Sequence, residues 1–301
     1  PTNGTTYGSQ TVNSIAKTSL EDAISLTKRE TAYTYNLTDV KAIDGNYYVW
    51  LPLYEITWKN GDGSILKDEY LDYGSTISYD GTPTLNLEGL TTTFKAWSPA
   101  LSSGTTVTSN VVYTATYDAT LNLPIRNIDG ATYYEISKRA DWDAFSTAVN
   151  VISNSIKGIM TADVDLGTDQ TMVGTSSSPY AGIFDGNGKT LTINYTNNAS
   201  ECTAPFRYVN GATVKNLKVS GAIATDQKYA GGFIGLTKGS TNILNCHSDV
   251  TINSTVSGDG THGGLVGNLS EGTTTVNNCL FTGAINGSST SCCGGFVGWR
   301  N

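Results

Sequence analysis

Gly231-Gly-Phe-Ile-Gly235, Gly263-Gly-Leu-Val-Gly267 and Gly294-Gly-Phe-Val-Gly298 recur at spacings of 32 and 31 residues. A fixed period of this length marks a chain built from stacked units, none of which buries its apolar face alone. A second element recurs between them. Val214-Lys-Asn-Leu217 runs on to Gly221-Ala-Ile223, Ile243-Leu-Asn-Cys246 to Val250-Thr-Ile252, and Val276-Asn-Asn-Cys279 to Gly283-Ala-Ile285. Each period therefore holds at least two short strands separated by corners.

If successive periods stack in register about 4.8 Å apart, like residues lie over one another. Leu217, Cys246 and Cys279 then form one interior row, with cysteine filling an aliphatic slot. The residues just before them, Asn216, Asn245 and Asn278, are predicted to form a ladder, because stacked amides hydrogen-bond from turn to turn and asparagine tolerates left-handed backbone. The paired glycines Gly231-Gly232, Gly263-Gly264 and Gly294-Gly295 are expected at tight corners, where they supply positive φ or a close backbone approach. Phe233, Leu265 and Phe296 are expected to fill the interior beside them.

These residues resemble the GLUG repeat of bacterial surface proteins, including some immunoglobulin A protease family members, where it accompanies the protease without being its catalytic part. The resemblance implies a right-handed parallel β-helix. It extends upstream through Ala162-Asp-Val-Asp-Leu166, Gly182-Ile-Phe-Asp-Gly-Asn-Gly-Lys-Thr-Leu-Thr-Ile193 and Ala204-Pro-Phe206, and the solenoid is assigned to residues 124–301. Ahead of the array, Trp142, Phe145, Ala148 and Val149 form an apolar stripe at helical spacing, with Ser137 or Asp141 as the N-cap. A helix placed there would cap the terminal strand edge. At the other end Trp299-Arg300-Asn301 follows a glycine motif with no cap, so the native chain is expected to continue.

Residues 49–120 read differently. Tyr54, Ile56 and Trp58 alternate with Glu55, Thr57 and Lys59, the period of two of a half-buried strand. Further strands are predicted near 64–70, 92–97 and 111–117, with a turn at Gly61-Asp62-Gly63. The run Tyr54-Glu-Ile-Thr-Trp-Lys-Asn-Gly-Asp-Gly, with Tyr73-Gly74, Phe94-Lys-Ala-Trp-Ser-Pro99 and Tyr113-Thr-Ala-Thr-Tyr-Asp118, is similar to the internalin-type B-repeat, also called the Listeria-Bacteroides repeat. It departs from that pattern at Ala96, where the family usually has glycine. The resemblance implies a small β-grasp-like spacer or adhesive unit without catalysis. Residues 1–48 carry a short helical pattern beginning Ser19-Leu20-Glu21-Asp22 and a Tyr/Thr-rich stretch, and stay unassigned.

The composition fits an exported mainly β protein: of 301 residues 33 are glycine and only 15% are charged. A net charge of −8 without any Lys/Arg cluster excludes the electrostatic footprint of a nucleic-acid or anionic-membrane binder. No apolar stretch approaches the roughly 20 residues of a membrane helix, and Pro1 suggests a removed signal or anchor segment. Cys202, Cys246, Cys279, Cys292 and Cys293 are odd in number and lack a CxxC pair, so they are expected to be free, buried thiols.

Candidate sites are sparse. Asp163, Asp165 and Asp169 are the weak candidates for Ca²⁺, but they lack the EF-hand glycine and glutamate, and Asp163 and Asp165 alternate with inward Val164 and Leu166. Asp185-Gly-Asn-Gly188 reads as a corner. His247 and His262 are expected on the surface or in turns. Asp249 and Asp259 stand isolated, and Arg207 and Arg300 offer no pair. Tyr47, Tyr48, Trp50, Tyr133 and Tyr134 are the aromatic residues that, if exposed, would stack on sugar rings. No catalytic group, metal or cofactor is expected. The function expected is a non-enzymatic, extracellular bacterial surface protein, adhesin-like or a stalk, presenting repeat faces to a protein or glycan. The alternatives are a carbohydrate-active β-helix lyase or hydrolase, or an accessory region of a surface protease.

Overall fold

The computed structural model describes residues 52–72 and 74–300, together with short strand segments within residues 5–49. The helical pattern beginning at Ser19 and the aromatic residues Tyr47, Tyr48 and Trp50 lie outside the residues described with their side chains. The protein is mainly β, with one helix among the described residues and a parallel β-solenoid of about five turns over residues 158–300.

The chain divides into two compact units, residues 1–85 with 92–118, and residues 86–91 with 119–301. In the first, strand Pro52–Lys59 pairs antiparallel with Ile65–Asp72 and parallel with Val111–Leu121, which neighbours Leu90–Ser98. The alternating pattern places Tyr54, Ile56 and Trp58 inside. Trp58 is the hub of this core, with ring centroids of Tyr79, Trp97 and Tyr113 at 5.0, 4.8 and 4.9 Å. Its indole N–H is satisfied by Glu69 Oε1 at 2.8 Å.

The second unit contains the solenoid. One sheet runs Ala131–Ile136, Lys157–Met160, Ile183–Asp185, Thr213–Lys215, Ser240–Leu244 and Thr273–Asn277, all parallel, with Ile125–Ile128 added antiparallel at its start. A second runs Val164–Asp165, Thr190–Asn197, Lys218–Thr225 and His247–Ser254, the last pairing with both Leu280–Phe281 and Ala284–Asn286. A third runs Phe206–Asn210, Ile234–Lys238, Val266–Leu269 and Val297–Arg300. The chain visits the sheets in rotation, so each turn lays one strand on each.

Period-two alternation within each strand, combined with exact turn-to-turn register, makes the core a set of rows. Phe184, Val214, Ile243 and Val276 stack in the first sheet, Tyr195, Ile223, Ile252 and Ile285 in the second, and Phe206, Ile234, Val266 and Val297 in the third. All the members before residue 270 are buried, whereas Val276, Ile285 and Val297 are half-buried.

Helix Arg139–Val151 packs its stripe inward as the spacing predicts, with Trp142, Phe145, Ala148 and Val149 all buried. Trp142 meets the rings of Phe184 and Phe206 edge-on at 5.5 and 5.7 Å. The capping differs from the expectation. Lys138 occupies the N-cap without a side-chain bond, and Ser137 instead donates its N–H and hydroxyl to Asp141 Oδ2 at 2.9 and 2.8 Å. The Asp141 carboxylate thus sits in the first turn, where the helix dipole favours it.

Two expectations about the interior are corrected. Phe233 and Leu265 are buried, but Phe296, on the last described turn, is 48% exposed, with no further described turn over it. Cys202 and Cys246 are buried thiols, whereas Cys279 is half-buried and Cys292 and Cys293 are exposed. The latter pair lies on that same last turn.

Candidate functional site

Two of the three corners of each turn carry the residues singled out in the sequence. At the first, Asn216, Asn245 and Asn278 adopt φ of 53°, 55° and 51°, the left-handed conformation asparagine accepts more readily than most residues. Asn278 Nδ2 donates to Asn245 Oδ1 at 2.9 Å, Asn245 Nδ2 to Asn216 Oδ1 at 3.1 Å, and Asn216 Nδ2 to Asp185 Oδ1 at 3.0 Å. The structure therefore brings all three amides together, and adds Asp185 as the acceptor that ends the row. Asp185 also accepts the Asn187 N–H at 2.8 Å and pairs with Lys215 Nζ at 3.2 Å, inside a corner with Asn187 and Gly188 at positive φ.

At the second corner the paired glycines stay out of the left-handed region. The left-handed residues there are Tyr229, Thr261 and Cys292, each two positions earlier, with φ of 65°, 49° and 57°. Of the two reasons offered for the glycines, close approach is the operative one. A Cβ on Gly263 would run into Val266 O and Gly298 N, and one on Gly264 into Gly295 O and the Phe281 ring. Gly231 and Gly232 stand in the same relation to the turn above, while Gly294 is blocked by Val297 O and Gly295 lies open.

His262 corrects a further expectation. It is fully buried, at the position held by Ala230 one turn earlier and Cys293 one turn later. Nδ1 accepts the Ala230 N–H at 3.1 Å, so the ring proton resides on Nε2, which faces Ser254 Oγ at 2.8 Å as donor. In that tautomer the imidazole cannot take a proton from Ser254, and the contact is structural rather than a base and its nucleophile. Burial holds its pKa down at about 4. His247 lies in strand His247–Ser254, half-buried, with Nε2 2.6 Å from Thr282 Oγ1.

The weak calcium candidates are occupied by the backbone and by a cation. Asp163 accepts the Thr190 N–H and Asp165 the Gly167 N–H, both at 2.8 Å, while Asp169 pairs with Arg139. Among the described residues no group of three or more His, Cys, Asp or Glu side chains is placed to hold a metal ion. Asp249 and Asp259, read as isolated, pair with Lys218 and Lys228 of the preceding turn at 3.9 and 3.8 Å. Arg207 donates to Glu201 O and lies over the Tyr208 ring at 5.3 Å, while Arg300 is exposed. Tyr133 is buried, covered by the Lys157 side chain at 5.7 Å, and is withdrawn as a sugar-stacking surface; Tyr134 is half-buried.

A groove of about 360 Å³ crosses the second sheet where its strands end. Its floor is one register row, Thr196, Ala224, Asn253 and Asn286, taken from four successive turns. Asn198, Thr225, Ser254, Thr255 and Gly287 line the remainder. Sequence reasoning missed this site. The signal present was an uncharged residue, Thr196, Ala224, Asn253 or Asn286, directly after each core position Tyr195, Ile223, Ile252 and Ile285.

Compared with protein-family models, with curated proteins and with solved structures, the chain matches none of them. No helix among the described residues is long and apolar enough to cross a membrane.

Proposed function

We propose that this chain is a non-enzymatic scaffold of the bacterial surface or secreted space, adhesin-like or a stalk, whose repeat faces present ligand-binding positions to a protein or glycan. In this reading residues 124–301 are a right-handed GLUG-type β-helix closed by the helix Arg139–Val151, and residues 49–120 are a β-grasp-like B-repeat spacer. What supports the scaffold reading most is that the polar residues at the corners are spent on holding turns together. Asn216, Asn245, Asn278 and Asp185 bond to one another, Asp163 and Asp165 bond to backbone, and the one buried histidine donates to Ser254. Positions aligned from turn to turn at about 4.8 Å offer a partner a lattice rather than a single reacting point.

The test pairs adhesion with turnover. Beads coated with the purified chain are expected to adhere to mucin- or polysaccharide-coated surfaces above uncoated beads, with no release of reducing or unsaturated ends from plant, mucin or bacterial polysaccharides. Depolymerisation lost on Asp163→Asn or Asp185→Asn would replace this reading with that of a carbohydrate-active enzyme.

A further inference from the structure

The shallow groove across the second sheet has a direction and an uncharged lining. Its floor residues Thr196, Ala224, Asn253 and Asn286 sit in register on four turns, so the groove runs perpendicular to the strands and along the solenoid. Thr196, Asn253 and Asn286 are exposed, and Ala224 leaves a low step between them. Asn286 Nδ2 donates to Asn253 Oδ1 at 3.1 Å, which leaves Asn253 Nδ2 as donor and Asn286 Oδ1 as acceptor outside that bond. The two amides thus offer one free donor and one free acceptor a turn apart.

Charge narrows the partner. The chain carries a net charge of −8, yet no residue lining the groove is charged. A cationic ligand would find no carboxylate there, and an anionic one no lysine or arginine, against an overall repulsive field. Direction narrows it further. A peptide that adds to a sheet lies along the strands and uses an exposed edge, whereas the two middle strands beneath the groove, Lys218–Thr225 and His247–Ser254, are interior members of the ladder with their backbone groups bonded to the turns on either side. Over those two strands the polar groups left to a ligand belong to side chains, and exposed amides such as that of Asn253 pair best with groups that both donate and accept, as sugar hydroxyls do.

We infer that the groove floored by Thr196, Ala224, Asn253 and Asn286 binds a neutral polysaccharide chain laid along the solenoid, each successive turn addressing a successive stretch of polymer. The inference rests on the proposed reading of the chain as a surface scaffold and assigns that reading a ligand class and a site.

The experiment is affinity electrophoresis of the full chain in gels holding neutral glucans, mannans or galactans, beside gels holding pectate or heparin as anionic polymers. Retardation is expected in at least one neutral polymer and in neither anionic one. Ala224→Arg, which fills the floor, and the double change Asn253→Ala with Asn286→Ala are each expected to weaken binding by about tenfold or more. Thr275→Arg, on the first sheet, is expected to leave it unchanged, and circular dichroism with thermal unfolding verifies that every variant is folded. Retardation only by anionic polymers, by none, or equally in wild type and a folded Ala224→Arg overturns the inference, as does capture of extended peptides that Ala224→Arg abolishes. Adhesion of beads that survives Ala224→Arg while groove binding is absent rejects the groove and keeps the scaffold; loss of adhesion by the unaltered chain rejects the scaffold itself.

Discussion

Lowering the pH should loosen the solenoid at His262, and the structure sets the size of the effect. The ring is fully buried, and its Nδ1 accepts the Ala230 N–H at 3.1 Å, so a second ring proton would face a donor with no partner to receive it. Desolvation holds its pKa at about 4 against an ordinary 6.5. Because the folded value is depressed, the unfolded chain binds the proton first as pH falls. The neutral ring's contribution is therefore complete above pH 6.5, declines as pH drops from there toward 4, and changes no further below. At about 1.4 kcal/mol per pH unit, that window corresponds to about 3 kcal/mol. Other groups also titrate in this range, so the assay is a difference. Urea unfolding of the chain and of His262→Gln is followed by circular dichroism between pH 7.5 and 4. Glutamine keeps a side-chain acceptor and donor but does not titrate, and at pH 7.5 it is expected to cost about 1–3 kcal/mol through imperfect packing and bonding. By pH 4 that gap should shrink by about 3 kcal/mol, so that the variant equals or overtakes the wild type. A gap that stays constant across the titration would refute the argument, because it would mean that the ring protonates as readily in the folded chain as in the unfolded one.

Asn245→Ala removes a bond on each side of the amide ladder and places alanine at a φ of 55°; a loss of about 2–3 kcal/mol in thermal unfolding is expected, and Asn245→Gly should recover the backbone part of it. Gly263→Ala forces a methyl against Val266 O and Gly298 N, both backbone atoms that cannot rotate away, and should cost at least about 2 kcal/mol or give insoluble protein on expression. Gly295→Ala, with open space at that position, should be tolerated and serves as the control. Thiol titration of the native chain should label Cys292 and Cys293 rapidly, whereas Cys202 and Cys246, whose pKa values burial pushes up to about 11 and about 12, should react only on unfolding.

How much of this was legible in the sequence depended on whether a residue's environment is set by its own turn or by the neighbouring ones. The asparagine row was readable because an amide at a left-handed corner has the same partner at every repeat, its own copy one turn away. Trp142, Phe145, Ala148 and Val149 were readable from local spacing alone. The period of the array was legible too, but not the division of labour at the glycine corner. There the backbone bend is made by Tyr229, Thr261 and Cys292, residue types with little propensity for positive φ, while Gly231, Gly263 and Gly294 make room for the carbonyl three residues on in their own turn and Gly232 and Gly264 for the adjacent turn. His262 misled for a related reason. Its equivalents are Ala230 and Cys293, so the repeat identifies a small buried slot, while the residue type suggests a surface; only the stacked position of the Ala230 N–H and the Ser254 hydroxyl, one from the turn before and one from its own, shows how an imidazole is accommodated. The groove was hidden more deeply still. Thr196, Ala224, Asn253 and Asn286 share no residue type across all four, and their row exists only once the register of the second sheet places them on one line. In a stacked fold the features that repeat by identity hold the structure together, whereas a binding surface is assembled from positions that align without being alike, which is why Thr196 and Asn286 carry the ligand inference and the conspicuous glycines do not.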